Sequence, residues 1–210
     1  MVRFGPDPVP RDSRPIVLAA LPLFEEANRT RHFLVTILRA LAGRGIASVL
    51  PDFPGTGESL VNTGDARLSD QRDAYAALVL RLGHPVFAVS LRSGALLDAG
   101  ATVAGRWHLA PQSGADLLRD LNRTRALAPD GGADYAGNRL SPAMLAELRD
   151  AEPRAPGDPL RIVRLDTDPR PADATYPGSP LWRRAEPGTD GALAARLTDD
   201  IAAWIATCAA

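Results

Sequence analysis

The sequence predicts an α/β fold: a compact, mostly parallel sheet flanked by helices, with an abbreviated C-terminal part. Three observations predict it. The apolar runs at residues 16–21 and 46–50 are separated by a segment carrying Phe33, Leu34, Ile37, Leu38 and Leu41. Strand-like runs joined by a helix-period segment make a βαβ unit, hence parallel strands covered on both faces. A further apolar run, residues 86–89, leads into a turn rich in small residues. The chain then closes with Leu193, Leu197, Ile201 and Ile205 at four-residue spacing, the seam of a helix packed on a sheet.

The second strand runs into Pro51-Asp52-Phe53-Pro54-Gly55-Thr56-Gly57-Glu58-Ser59, a turn-rich loop at the edge where open α/β sheets bind ligands. Its glycines lack both the G-x-G-x-x-G spacing and a phosphate-loop lysine, so they read as structural turns. After residues 86–89 comes Ser90-Leu91-Arg92-Ser93-Gly94, a strand-to-helix elbow with arginine at its centre, and residues 94–101 read as a small-residue helix. Residues 106–109 form the next strand. Residues 112–127 follow as a helix with Leu117, Leu118, Leu121 and Thr124 on one face, and Pro142 starts a short helix bearing Leu145 and Leu148. Residues 160–165 alternate like a partly exposed strand near the sheet edge. Eight of the 19 prolines fall between residues 153 and 187, which marks a loop-dominated region around 151–190. With no internal repeat, residues 1–210 read as one domain.

Composition narrows the function classes. A formal charge of −1 provides neither a nucleic-acid surface nor a patch for anionic membranes. No apolar run approaches the ~20 residues of a membrane span, and the start of the chain does not read as a signal peptide, so the expected location is cytoplasmic. The single Cys208 forms no internal disulfide and reads as an incidental thiol. His32, His84 and His108 are scattered, without metal-ligand spacing, and the reading includes neither metal nor cofactor.

The D-x-x-G-x-G-x-S run from Asp52 to Ser59, followed by a strand and an elbow, resembles the α/β-hydrolase superfamily. Residues 22–31, 91–97, 107–114, 135–141 and 177–182 are more narrowly similar to the exosortase A system-associated hydrolases of the second type. Those are bacterial proteins encoded beside exopolysaccharide and protein-sorting machinery. The superfamily resemblance implies a serine nucleophile at the centre of a G-x-S-x-G elbow, an acid after the seventh strand and a histidine after the eighth. It also implies an oxyanion donor among the backbone amides of Leu23 or Phe24. Here the elbow centre is Arg92, as it tends to be in the narrower family, and no histidine follows His108. A guanidinium donates five hydrogen bonds and has no lone pair with which to attack a carbonyl.

The catalytic candidates are therefore fragmentary: Ser90 and Ser93 for a hydroxyl, His108 near the end of its strand, and Asp166 and Asp168 in the acid's place. Without a base, either serine remains a weak nucleophile. Leu23, Phe24, Glu25, Glu26, Arg92 and Trp182 compose the expected ligand site. Arg92 would clamp a carboxylate or phosphoryl group there, aided by the N-terminus of the helix after the elbow, or pair internally with Glu25, Glu26 or Asp52. The resulting expectation is a triad-deficient hydrolase-like protein that binds an anionic or acyl-bearing ligand, or a protein partner, in an exopolysaccharide or protein-sorting setting. The alternative is a weak or non-classical esterase, thioesterase or acyltransferase. The abbreviated sheet edge offers a surface for a homodimer.

Overall fold

The computed structural model describes residues 1–6, 14–83, 85–126, 134–135, 137–154 and 159–209. His84 and residue 127 lie outside them. Among the described residues seven strands form one sheet: β1 (Val2–Phe4), β2 (Ile16–Ala20), β3 (Ala47–Leu50), β4 (Val86–Leu91), β5 (Gly105–Leu109), β6 (Leu160–Leu165) and β7 (Ala174–Tyr176). Their order is β1-β3-β2-β4-β5-β6-β7, parallel throughout except for β1, which runs antiparallel to β3. The helices that cover it among those residues are α1 (Glu25–Gly43), α2 (Leu68–Leu82), α3 (Gly114–Ala126), α4 (Pro142–Arg149) and α5 (Gly191–Ala209).

Strand pleating explains the two cores. Val17, Ala19, Phe87, Val89, Trp107, Leu109 and Val163 point to one face, because successive side chains of a strand alternate. There they meet Phe33, Leu34, Ile37, Leu38 and Leu41 of α1 and Leu193, Leu197, Ile201 and Ile205 of α5. Both helical stripes visible in the sequence are buried as expected. Ile16, Leu18, Ala20, Val86 and Ala88 point the other way, toward α2, α3 and α4. Ser141 caps α4 by accepting a hydrogen bond from the Met144 amide at 2.9 Å, and Pro142 follows at the position where its missing N–H costs nothing.

Several elements differ from the sequence reading. The small-residue helix expected at 94–101 is only a five-residue 3-10 helix, Arg92–Leu96, followed by turns. So short a helix aligns few peptide dipoles, and the anion-attracting helix end expected behind Arg92 is not formed. β1, α2 and β7 add to the elements that the sequence predicts, and Thr124 of α3 is exposed. The C-terminal part is abbreviated in a specific way. The eight residues 166–173 join β6 to β7 without a helix, whereas parallel neighbours usually need a crossover of a dozen residues or more.

Candidate functional site

The carboxyl ends of β2, β4 and β5, three neighbouring strands, define the site. Each is followed by a non-glycine residue with positive φ: Phe24 at 60°, Arg92 at 52° and Ala110 at 47°. Such backbone is sterically unfavourable for residues with a Cβ and concentrates at functional turns. Gly94 permits the elbow, since a Cβ there would lie 2.5 Å from the Leu21 carbonyl oxygen and 2.8 Å from that of Ala20. The sharp strand-to-helix turn implied by the resemblance is therefore present, with Arg92 at its tip.

Arg92 is only 5% exposed. Its Nε donates to Glu26 Oε2 at 3.1 Å and its Nη2 to Glu26 Oε1 at 3.3 Å, while Nη1 donates to the Ala110 carbonyl at 3.4 Å. The Trp182 ring stacks on the guanidinium, 5.0 Å from its centroid, and Asp120 Oδ2 lies 3.8 Å from Nη2. Burial pushes the Glu26 carboxyl above its usual range, and attraction to Arg92 opposes that shift. Of the three internal partners expected for Arg92, Glu26 is the one found. Glu25 turns instead to Arg29, and Asp52 to Arg31 and the Met1 ammonium.

Two contiguous clefts of about 390 and 400 Å³ open beside this pair and share Arg92, Asp120, Arg123, Trp182 and Arg183. Leu23, Phe24, Glu25 and Glu26 line the second, so all six expected ligand-site residues border one space. Together the clefts are lined by six arginines (29, 92, 119, 123, 170 and 183) against five carboxylates (25, 26, 116, 120 and 168). Five of these arginines are paired with a carboxylate. Among the described residues Arg183, exposed at the shared rim, has none.

The positions associated with hydrolytic chemistry are otherwise engaged. The Ser93 hydroxyl is buried and accepts the Leu23 amide at 2.9 Å, so one proposed oxyanion donor is spent within the protein. Ser90 and His108 do come together, but around Asp98. Ser90 Oγ donates to Asp98 Oδ2 at 2.6 Å, and His108 Nε2 lies 2.9 Å from the same oxygen. Arg106 Nε reaches Oδ1 at 3.1 Å. All four residues are fully buried. In this order the carboxylate separates serine from histidine, and no proton passes directly from hydroxyl to imidazole. Asp98 and Arg106 were not singled out in the sequence, although an arginine within the apolar strand Gly105–Leu109 signals a buried counter-charge.

Asp166 is exposed. Asp168 faces the first cleft, where hydrogen bonds from Arg170 and Arg164 hold its carboxyl far below the usual carboxylate range despite partial burial. After β7, the last strand of this sheet and so the counterpart of the strand that precedes the histidine in the resemblance, the 3-10 helix Leu181–Arg183 delivers Trp182 to Arg92.

No family model matches the chain, and no curated protein matches it either. Solved structures do. Est1E of Butyrivibrio proteoclasticus with ferulic acid bound is 13% identical and superposes with a TM-score of 0.60, over 98% of this chain and 94% of that one. The monoacylglycerol lipase of Paleococcus ferrophilus is 14% identical, with a TM-score of 0.57 over 99% and 98%. A soluble variant of the Saccharomyces cerevisiae monoglyceride lipase, solved with a substrate analogue, is 12% identical, with a TM-score of 0.60 over 98% and 90%. The chain has the α/β-hydrolase fold. At these identities the likeness extends to the hydrolase scaffold and not to its chemistry.

Proposed function

We propose that this protein uses the hydrolase scaffold to bind an anionic ligand, a carboxylate or phosphoryl group carried on an acyl or similar body, without covalent turnover. The observation that carries this reading is Arg92 at the tip of the elbow, beside a cleft whose rim holds the unpaired Arg183. Arg183 supplies the uncompensated charge, and Trp182, Leu23 and Phe24 supply apolar wall. Glu26 occupies the two-point face of Arg92 that an incoming carboxylate would take. The similarity to exosortase-associated proteins suggests a cytoplasmic role in exopolysaccharide assembly or protein sorting. Within it, residues 1–210 act as one domain, and either a protein tail or a second copy at the β7 edge serves as partner.

Two measurements on the purified protein test the reading. Calorimetric titration with sulfate and with a medium-chain fatty acid should show binding that weakens at least tenfold in Arg183→Ser. Fluorophosphonate labelling should leave every serine unmodified. The competing assignment, a weak esterase, thioesterase or acyltransferase, draws on the esterase and lipases that share the fold. Ester turnover above ~1 s⁻¹ with an adduct on Ser90 or Ser93 would establish it and overturn the proposal.

A further inference from the structure

A third cavity, of about 200 Å³, shares Leu23 and Phe24 with the second charged cleft and has an opposite character. Among the described residues none of its lining side chains is ionisable. Its polar groups are hydroxyls and amides, and four of them donate to backbone carbonyls, among them Asn138 from Nδ2 to Tyr135 at 3.2 Å. Thr56 Oγ1 donates its single proton to the Phe53 carbonyl at 2.9 Å, and Thr63 Oγ1 donates its own to Gly55 at 2.9 Å. Gln71, 2% exposed, directs Nε2 to the Pro54 carbonyl at 2.9 Å. A carbonyl only accepts, so this contact fixes the amide orientation and leaves Oε1 as the buried acceptor, with no partner among the described residues.

Thr56, Thr63 and Gln71 therefore offer lone pairs to a ligand, while an orphaned buried acceptor such as Gln71 Oε1 is costly to leave unmet. The occupant must be rich in donors. It must also be neutral, because a buried ammonium or guanidinium would find no carboxylate in the lining. Esters and ketones offer acceptors alone and cannot satisfy Gln71 Oε1. We infer that this cavity binds a neutral polyhydroxylated molecule about the size of one sugar ring, with a hydroxyl donated to Gln71 Oε1 and its apolar face against Phe24 and Met144. The inference is independent of the anion site, since no arginine lines this cavity.

Saturation-transfer NMR on the whole protein tests it with methyl β-D-glucopyranoside, neutral and donor-rich, and ethyl butyrate, neutral with acceptors only. The glucoside should receive saturation with a millimolar Kd, and ethyl butyrate should receive none. Gln71→Met, of similar shape without the acceptor, should weaken the glucoside at least tenfold. Ala27→Trp should abolish its signal by filling the cavity from the partly exposed start of α1, giving a second readout if Gln71→Met fails to fold. Arg183→Ser should leave it unchanged. The inference is overturned by the absence of glucoside transfer, by equal transfer to the ester, or by a glucoside signal that persists in Ala27→Trp or in folded Gln71→Met.

Discussion

Arg92 and Glu26 meet as a two-point ion pair across the carboxyl edge of the sheet, joining the tip of the elbow to the first turn of α1. Both side chains are largely removed from water, at 6% and 17% exposure. Removing one partner therefore strands a charge, which typically costs about 3–5 kcal/mol, whereas replacing both with neutral groups restores much of the loss. Arg92→Met should be strongly destabilised in urea unfolding and the Arg92→Met, Glu26→Gln double variant much less so. Additive effects of the two substitutions would contradict this coupling.

The same pair gives stability a dependence on pH. Burial raises the folded-state pKa of Glu26 above its usual 4.5, against the pull of Arg92 and Arg29 and with help from Asp120. A raised carboxyl pKa favours the folded state most fully below the unfolded value, and that contribution is lost as pH rises through the folded one. The stability difference between wild type and Glu26→Gln should therefore shift against the wild type from pH 4.5 upward. Neutralising Glu26 also frees the two-point face of Arg92, so sulfate should bind more tightly at pH 4.5 than at pH 7, with a flatter profile in Glu26→Gln.

Restoring serine at the elbow should not restore an enzyme. In Arg92→Ser the new hydroxyl would stand at the tip of the elbow, while His108 remains tied to Asp98 in a fully buried cluster. Ester turnover by this variant should stay far below ~1 s⁻¹. A rate above that would mean that a base reaches the elbow by a route absent from the structure.

Most of the scaffold was legible because burial writes periodicity into sequence. Phe33, Leu34, Ile37, Leu38 and Leu41 mark α1, and the four-residue apolar spacing near the end marks α5. The charged residues of the site were harder. That Arg92 would take Glu26 rather than its neighbour Glu25 depends on which side of α1 faces the elbow, which is decided by packing. Asp98 lies in a turn and joins Ser90, Arg106 and His108 only when β4 and β5 pair in register. Arg183 gains meaning from the cleft rim on which it stands, and β7 is three residues long, too short for a pattern.

A second polar centre should prove important for stability. Asp200 of α5 accepts Trp107 Nε1 at 2.6 Å, Arg161 Nε at 2.8 Å and Nη2 at 2.6 Å, and the Tyr176 hydroxyl at 2.8 Å. It thereby ties the last helix to β5, β6 and β7. Burial raises its pKa, but hydrogen bonds from Arg161, Trp107 and Tyr176 outweigh that, leaving the value lowered from 3.8. The contribution is therefore full above 3.8 and lost as pH falls through the folded value. Asp200→Ala should cost about 3 kcal/mol at pH 7, with a smaller penalty at pH 3, measured by urea unfolding at both.

Gly94→Ala gives a test of the elbow itself. The added methyl would overlap the Leu21 and Ala20 carbonyl oxygens, which belong to backbone and have little room to yield. The loss should reach at least ~2 kcal/mol, and Gly94→Ala should lower the melting temperature more than Gly43→Ala, where a Cβ meets nothing within 4 Å.

Phe24, Arg92 and Ala110 cap neighbouring strands in conformations that cost ~1–3 kcal/mol apiece. That expense arises in the main chain, from the Cβ that every non-glycine residue carries. The rim therefore works as a display, presenting one residue per strand end above a sheet that remains the same. In such an architecture a reactive group can be exchanged for a binding group at a single codon, with the geometry around it left intact.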